Sequence, residues 1–172
     1  MSVAPPAYRS RTVIPRAVDP GRFRYCSWLN LTIGVWSDQA TEEAARSVLE
    51  LSKQMVQEHS FGHSSVVFVL DGAPAPTPAA NRLFAHLYDD KVSDLACMAI
   101  IIEGEGFWAS SIRSAITGLR MSVPGAMQLR VSNHIDHVVE WLPAEHCRRT
   151  GVSISAPELR HALETCRRLG TG

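Results

Sequence analysis

The chain has 172 residues, a length typical of one domain with a tail, and its 45% hydrophobic and 20% charged residues are ordinary for a globular protein. The formal net charge is zero but uneven: residues 1–27 carry five arginines and one acid, residues 28–143 seven basic and thirteen acidic groups, and residues 144–172 five arginines and three glutamates. A nucleic-acid-binding domain would be basic, so the acidic segment 28–143 argues against that class of protein. No apolar run approaches the ~18 residues that a membrane helix needs.

The four cysteines, Cys26, Cys97, Cys147 and Cys166, form no CxxC pair and show no metal-ligand spacing. Cys97 lies inside the apolar run LACMAIII and Cys166 on the apolar face of a helix, which predicts two small core residues. We therefore expect no metal and no cofactor. The first residues, MSVAPPAYRSRTVIPR, lack the apolar centre of a secretory signal, so a cytoplasmic location is expected.

The first third of the chain predicts an arm, a strand region and a helix. Residues 1–21 are rich in proline and arginine and are predicted to form a flexible arm, in which TVIP can supply an edge strand. The aromatic and β-branched run at 22–36 predicts strand, long enough for a bend or a hairpin near Ser27 or Asn30. Thr41 then caps a helix that has two glutamates in its first turn.

The middle of the chain alternates buried strands and helices. Residues 65–70, SVVFVL, form a continuous apolar run, as in a central strand covered on both faces. After a Gly/Pro turn, Thr77 is predicted to cap a second helix with proline at its first position. A second buried strand is predicted at 96–102 and a third helix at 106–119.

The last third predicts one more strand and two helices. The alternating run at 126–131 indicates a strand near the sheet edge. Asn133 is predicted to cap a fourth helix, which gives way to a loop containing Pro143, and Ser155 and Glu158 form a capping box for the last helix. This order predicts an α/β domain with a mixed, mostly parallel sheet of four to five strands and flanking helices.

The order of elements, in a chain of this size, resembles the STAS-type domains, the SpoIIAA-like (anti-sigma-factor-antagonist-like) fold. The similar segments are LNLTIGVWSDQAT, a strand running into a helix; VVFVLDG, a short strand; and HIDHVVEWL, which looks like the ending of many SpoIIAA-like proteins. The resemblance covers about residues 22–143, the predicted domain. Residues 144–172 are then expected to be a C-terminal loop and helix that pack on the same domain.

The resemblance implies a non-enzymatic protein-interaction module, often regulated by a partner kinase. In the sigma-regulating members, this strand is followed by Asp-Ser-Ser/Thr-Gly, and the serine is phosphorylated at the start of the next helix. Here Asp71 matches the aspartate, Gly72 stands at the serine position, and Thr77 is the hydroxyl nearby. The resemblance thus implies a divergent member that lacks the phosphorylatable serine.

Two turns after the central strands are predicted to form a partner-binding or regulatory site. Asp71 and Thr77 belong to the first turn; a phosphate on Thr77 would sit at a helix N-terminus, but Thr-Pro is also an ordinary cap, which we favour. Glu105, Phe107 and Trp108 belong to the second turn. Its acids favour a solvated loop over acid–base chemistry or cation binding, and an outward aromatic side chain suits a partner interface. Both turns are expected at one edge of the sheet.

Histidine and nucleophile patterns indicate no enzyme. His134 and His137 stand one helical turn apart, a zinc spacing without a third ligand, so an exposed helix face is favoured. His59 and His63 bracket a turn and are a weaker signal. Because no G-x-S-x-G elbow and no activated cysteine is found, no catalytic residue and no metal ligand is predicted.

The sequence therefore predicts a regulatory module whose partner is a protein, kinase-like or sigma-regulatory. The alternative is a small-molecule or lipid-binding protein, or an unrecognised enzyme, that uses a cleft at the carboxyl ends of the strands. A deep pocket lined by Trp36, Phe107 and Trp108 favours this alternative, whereas a flat surface favours partner binding. A structural homodimer is a third candidate; the arginine-rich arm and last helix would then mediate self-association or cover an edge strand.

Overall fold

The computed structural model describes residues 12–16, 23–88, 95–121 and 128–169. Most of the predicted arm lies outside these ranges. The strands are β1 (Ile14–Arg16), β2 (Phe23–Trp28), β3 (Leu31–Trp36), β4 (His63–Val69), β5 (Leu95–Ile102) and β6 (Gln128–Ser132). The α-helices are α1 (Glu42–Glu58), α2 (Pro78–Ala85), α3 (Gly106–Met121), α4 (Ile135–Thr150) and α5 (Ala156–Leu169). None of these helices has the length and apolar character that a membrane crossing requires.

The six strands form one mixed sheet in the order β1-β2-β3-β4-β5-β6. Strands β1 to β3 pair antiparallel, and strands β3 to β6 pair parallel. The α/β class is confirmed, but the prediction of four to five strands in a mostly parallel sheet is wrong. The sixth strand is β1, which pairs with β2 at the sheet edge. The run at 22–36 forms the hairpin that was one of its two predicted forms, turning at Leu29 and Asn30, and these antiparallel pairs make the sheet mixed.

Helices cover both faces of the sheet. Each of α1, α2 and α3 connects two neighbouring parallel strands, and right-handed crossovers in one direction place all three on the same face. Helices α4 and α5 pack on the other face, against β5 and β3. Because side chains alternate along a strand, each face has its own core: Val67 and Ile100 belong to the first, and Phe68, Cys97 and Cys166 to the second. The predicted burial of both cysteines is confirmed.

The fourth helix differs from its prediction at both ends. It starts after His134, whose side chain makes no capping bond, rather than after Asn133, and it continues through Pro143 where a loop was predicted. A proline inside a helix removes a backbone hydrogen bond. Burial on both sides of Pro143 offsets this cost, because Leu142 and His146 are fully buried. Tertiary packing therefore overrides the local signal for a helix end.

The other predicted caps are confirmed. The Thr41 hydroxyl accepts the N–H of Ala44, and the Thr77 hydroxyl accepts that of the residue three positions further on. Ser155 and Glu158 satisfy each other's backbone N–H groups, as a capping box does.

Candidate functional site

The two predicted turns lie against each other at the carboxyl ends of β4 and β5. Asp71 is exposed, and its side chain covers Gly104: a Cβ on Gly104 would lie 2.1 Å from the Asp71 Oδ1 atom. Gly104 also has a φ of +89°, so this close approach needs glycine for two reasons. Trp108 is half-buried and donates its indole N–H to the carbonyl oxygen of Ala73 at 3.0 Å. Glu105 is exposed on the same turn.

Thr77 is a structural cap at the end of the first turn. Its hydroxyl accepts the N–H of Ala80 at 3.2 Å, and its own N–H donates to the carbonyl oxygen of Ala40 at 3.0 Å. The residue is half-buried. These contacts account for threonine at this position without a modification. The side chain of Phe107 lies outside the part of the chain that the structure describes.

Glu103, one of the two acids of the second turn, is paired with helix α5. The Arg167 Nη2 atom donates to the Glu103 Oε2 atom at 2.8 Å, and the Arg167 Nε atom donates to the other carboxylate oxygen. This hydrogen-bonded pair raises the pKa of Arg167 above its ordinary value. The pair joins α5 to the end of β5, so Glu103 acts as a structural ion-pair partner, and Glu105 is left as the exposed acid of this turn.

A cavity of about 90 Å³ lies between the sheet and helices α1, α2 and α3. One water needs ~10–15 Å³, so the cavity has room for several atoms. Its described lining is mostly apolar: Tyr25, Trp36, Val48, Leu51, Val67, Val69, Ala73, Pro74, Pro76, Phe84, Leu87, Leu95, Met98, Ile100, Ile112 and Ile116. Of the three aromatic residues expected in such a pocket, Trp36 lines it, and Trp108 instead packs on the core beside it.

The lining residues that reach solvent mark the mouth of the cavity. Trp36 is the last residue of β3 and Asp38 lies just after it, and Pro74 and Pro76 belong to the turn after β4. All are exposed or half-buried, as is Asn81 on α2. Because these residues gather at the carboxyl ends of the parallel strands, the mouth opens beside the predicted turn surface. This edge is where open α/β sheets commonly hold ligands.

The opposite end of the cavity is polar, and the described residues that line it are buried, so we call it the closed end. Thr32 and Ser65 are neighbours across β3 and β4, and His63 lies at the start of β4. The His63 Nε2 atom is 3.4 Å from the Ser52 Oγ atom of α1, whereas the buried Nδ1 atom has no hydrogen-bond partner among the described residues. Burial, with smaller contributions from two neighbouring histidines, lowers the pKa of His63 to about 4. The ring is therefore neutral near pH 7.

A buried polar network lies on the other face of the sheet, under α4. The His146 Nδ1 atom is 2.8 Å from the Ser64 Oγ atom, and the His146 Nε2 atom is 2.9 Å from the Asn30 Oδ1 atom. The sulfur of Cys97 lies 3.2 Å from the Ser64 Oγ atom, and burial raises the pKa of this thiol to about 11. The chain of contacts from Ser64 through His146 to Asn30 is similar to a hydrolase triad. These three residues and Cys97 are, however, fully buried. The network therefore holds α4 on the sheet.

The other histidines do not gather into a site. His134 and His137 are exposed, with ring centroids 5.7 Å apart, and the His137 Nδ1 atom lies 3.0 Å from the Ser132 Oγ atom. His59 is half-buried at the end of α1, whereas His63 is fully buried in β4. Within the described ranges, no three His, Cys, Asp or Glu side chains are grouped as metal ligands.

Sequence reasoning missed the polar end of the cavity. The strand predicted from the sequence begins at Ser65, whereas β4 begins at His63. The amino-acid composition of β4 contains a signal for this end of the cavity. The strand is buried throughout, yet its first three residues, His63, Ser64 and Ser65, are polar. Polar residues in a buried strand need partners, so they mark either a network or a ligand.

The chain matches no protein-family model and no curated protein sequence. The resemblance to STAS-type domains therefore stays a prediction, and the function is argued from the geometry above.

Proposed function

We propose that this protein binds a small, mostly apolar molecule in the cavity between the sheet and helices α1 to α3. The observation that carries this proposal is the cavity itself, about 90 Å³ with a largely apolar lining. Natural cores are packed densely, so a void that a single larger side chain could fill is better explained by a ligand.

The position of the mouth supports the same proposal. Trp36 stacks against Phe84 with ring centroids 5.0 Å apart, and its indole N–H donates to the Tyr25 hydroxyl at 2.9 Å. These contacts hold an aromatic wall at the entrance, beside the exposed Pro74. A molecule that enters here passes rigid apolar side chains, which supply binding energy with little loss of side-chain entropy.

Filling the cavity tests the proposal. Val67 lies on the cavity floor in β4, and Val131 lies in the same row of the same sheet face, two strands away in β6. Val67→Phe places a larger side chain in the cavity, and Val131→Phe makes the same chemical change at a half-buried site outside the lining. The assay follows binding of ethylbenzene by amide chemical shifts and by the ligand-induced rise in Tm.

We expect sub-millimolar binding to the wild type and to Val131→Phe, and no saturable binding to Val67→Phe. Native mass spectrometry of the protein from its own host should then show a small adduct that the filled variant lacks. A wild type that does not bind the probe, or a Val67→Phe variant that binds it equally well, would contradict the proposal.

A second candidate is the regulatory protein-interaction function expected from the sequence, at the two-turn surface. It is supported by the contact of Asp71 with the second turn and by the hydrogen bond from Trp108 to Ala73, which together join the two turns into one surface. A pull-down from the host cytosol should lose a specific partner with Asp71→Lys and Glu105→Lys but keep it with Glu43→Lys on α1. Phosphate on Thr77 in the same sample would support a kinase-regulated module; an identical set of captured proteins from every variant would count against it.

A further inference from the structure

We infer that the molecule bound in the cavity carries one uncharged hydrogen-bonding group, a hydroxyl or a carbonyl, and that His63 Nδ1 or its hydrogen binds this group at the closed end. The inference rests on the proposed function of the cavity and adds the chemistry and direction of binding. The polar group is buried at His63, and the apolar body points toward Trp36 and Pro74 at the mouth.

The unpartnered nitrogen is the first step. The side chain of His63 is 1% exposed, and in the part of the chain that the structure describes its buried Nδ1 atom has no partner. A buried polar atom without a partner is destabilising, so such atoms are rare unless water or a ligand completes them. His63 lines the cavity, and a molecule in the cavity can therefore supply the missing partner.

The second step concerns which partner fits. The Ser52 hydroxyl lies 3.4 Å from the His63 Nε2 atom and can either donate or accept there. A neutral imidazole has one N–H and one bare nitrogen, so the state of Nε2 decides whether Nδ1 donates to a carbonyl or accepts from a hydroxyl. Both are neutral groups of similar size.

The third step excludes a charged group. Thr32, Ser65 and Ser52 surround the closed end with hydroxyls, and His63 is neutral. Among the described lining residues, the charged side chain is Asp38, which is at the mouth. A carboxylate or phosphate at the closed end would be buried with no cation among the described lining residues, which costs several kcal/mol. At ~10–15 Å³ per water-sized site, the cavity holds a group of about six to nine non-hydrogen atoms.

The experiment compares benzyl alcohol with ethylbenzene, two probes that match in size and differ by a hydroxyl in place of a methyl group. Their dissociation constants are measured for the wild type and for His63→Leu, with Val131→Phe as the folded control. We expect the preference for the alcohol over the hydrocarbon to fall about five-fold in His63→Leu, the value of one ordinary hydrogen bond. Binding of ethylbenzene should be equal or tighter in that variant.

A second measurement needs no variant. The ¹⁵N resonance of His63 Nδ1 in the wild type should shift on adding benzyl alcohol and stay in place on adding ethylbenzene. If both probes bind with an unchanged preference in His63→Leu, or if the Nδ1 resonance does not respond, a buried water satisfies the nitrogen and the inference fails. If neither probe binds, the proposed function of the cavity fails with it.

Discussion

Lowering the pH from 7.5 to 5.0 should destabilise this protein through two buried histidines. His63 and His146 lie on opposite faces of the sheet, and burial lowers the pKa of each from 6.5 to about 4. Between pH 6.5 and pH 4 the unfolded chain carries a proton on each of these two histidines, whereas the folded chain does not. The stabilisation is therefore complete above pH 6.5 and is lost as the pH falls toward 4.

The size of the effect follows from the two pKa values. A change in pKa from 6.5 to about 4 lowers the free energy of unfolding by about 3 kcal/mol per histidine once the folded chain is protonated. About 2 kcal/mol of this is already lost at pH 5. Both residues together should lower the free energy of unfolding by roughly 4 kcal/mol, a large share of the ~5–15 kcal/mol of a typical domain. The half-buried His59, whose pKa is also lowered by burial, adds in the same direction.

Urea denaturation at several pH values between 7.5 and 5.0 measures the loss. This window lies above the range in which Glu145 titrates, because hydrogen bonds from Arg148 and Arg149 lower its pKa to about 2. His63→Gln and His146→Gln should each remove about half of the pH dependence. A wild-type free energy of unfolding that is flat across the window would refute the reasoning.

Two predictions concern the turns at the carboxyl ends of β4 and β5. Thr77→Ala removes the hydroxyl that caps α2 and should lower the free energy of unfolding by about 1 kcal/mol; an unchanged urea midpoint would show that the cap contributes nothing. Gly104→Ala brings a Cβ within 2.1 Å of the Asp71 carboxylate and should lower the free energy of unfolding by about 2–3 kcal/mol. Gly72 also has a positive φ but has open space around it, so Gly72→Ala should cost about 1 kcal/mol. Equal losses for the two alanine variants would mean that the contact with Asp71 relaxes freely.

The local signals of the sequence predicted most elements correctly. The caps at Thr41, Thr77 and Ser155 act within three residues of chain, so side-chain chemistry and spacing are sufficient to locate them. The apolar run after Ser65 likewise indicates a buried strand, whatever the position of that strand in the sheet. Pro143 shows the limit of this reasoning, because a local helix breaker is tolerated once residues on both sides of it are buried by the tertiary fold.

The candidate site depended on contacts that no local pattern contains. Ser64 and His146 are 82 positions apart and meet only because α4 packs on β4. In the same strand, Ser65 faces the cavity and Ser64 the opposite core, since successive side chains of a strand point to opposite faces. The sequence by itself determined the α/β class, the starts of α1, α2 and α5, and the buried strands. Tertiary packing decided which polar residues have partners and left His63 Nδ1 without one among the described residues. Hydrogen bonds between residues so far apart in the chain depend on strand order and helix placement.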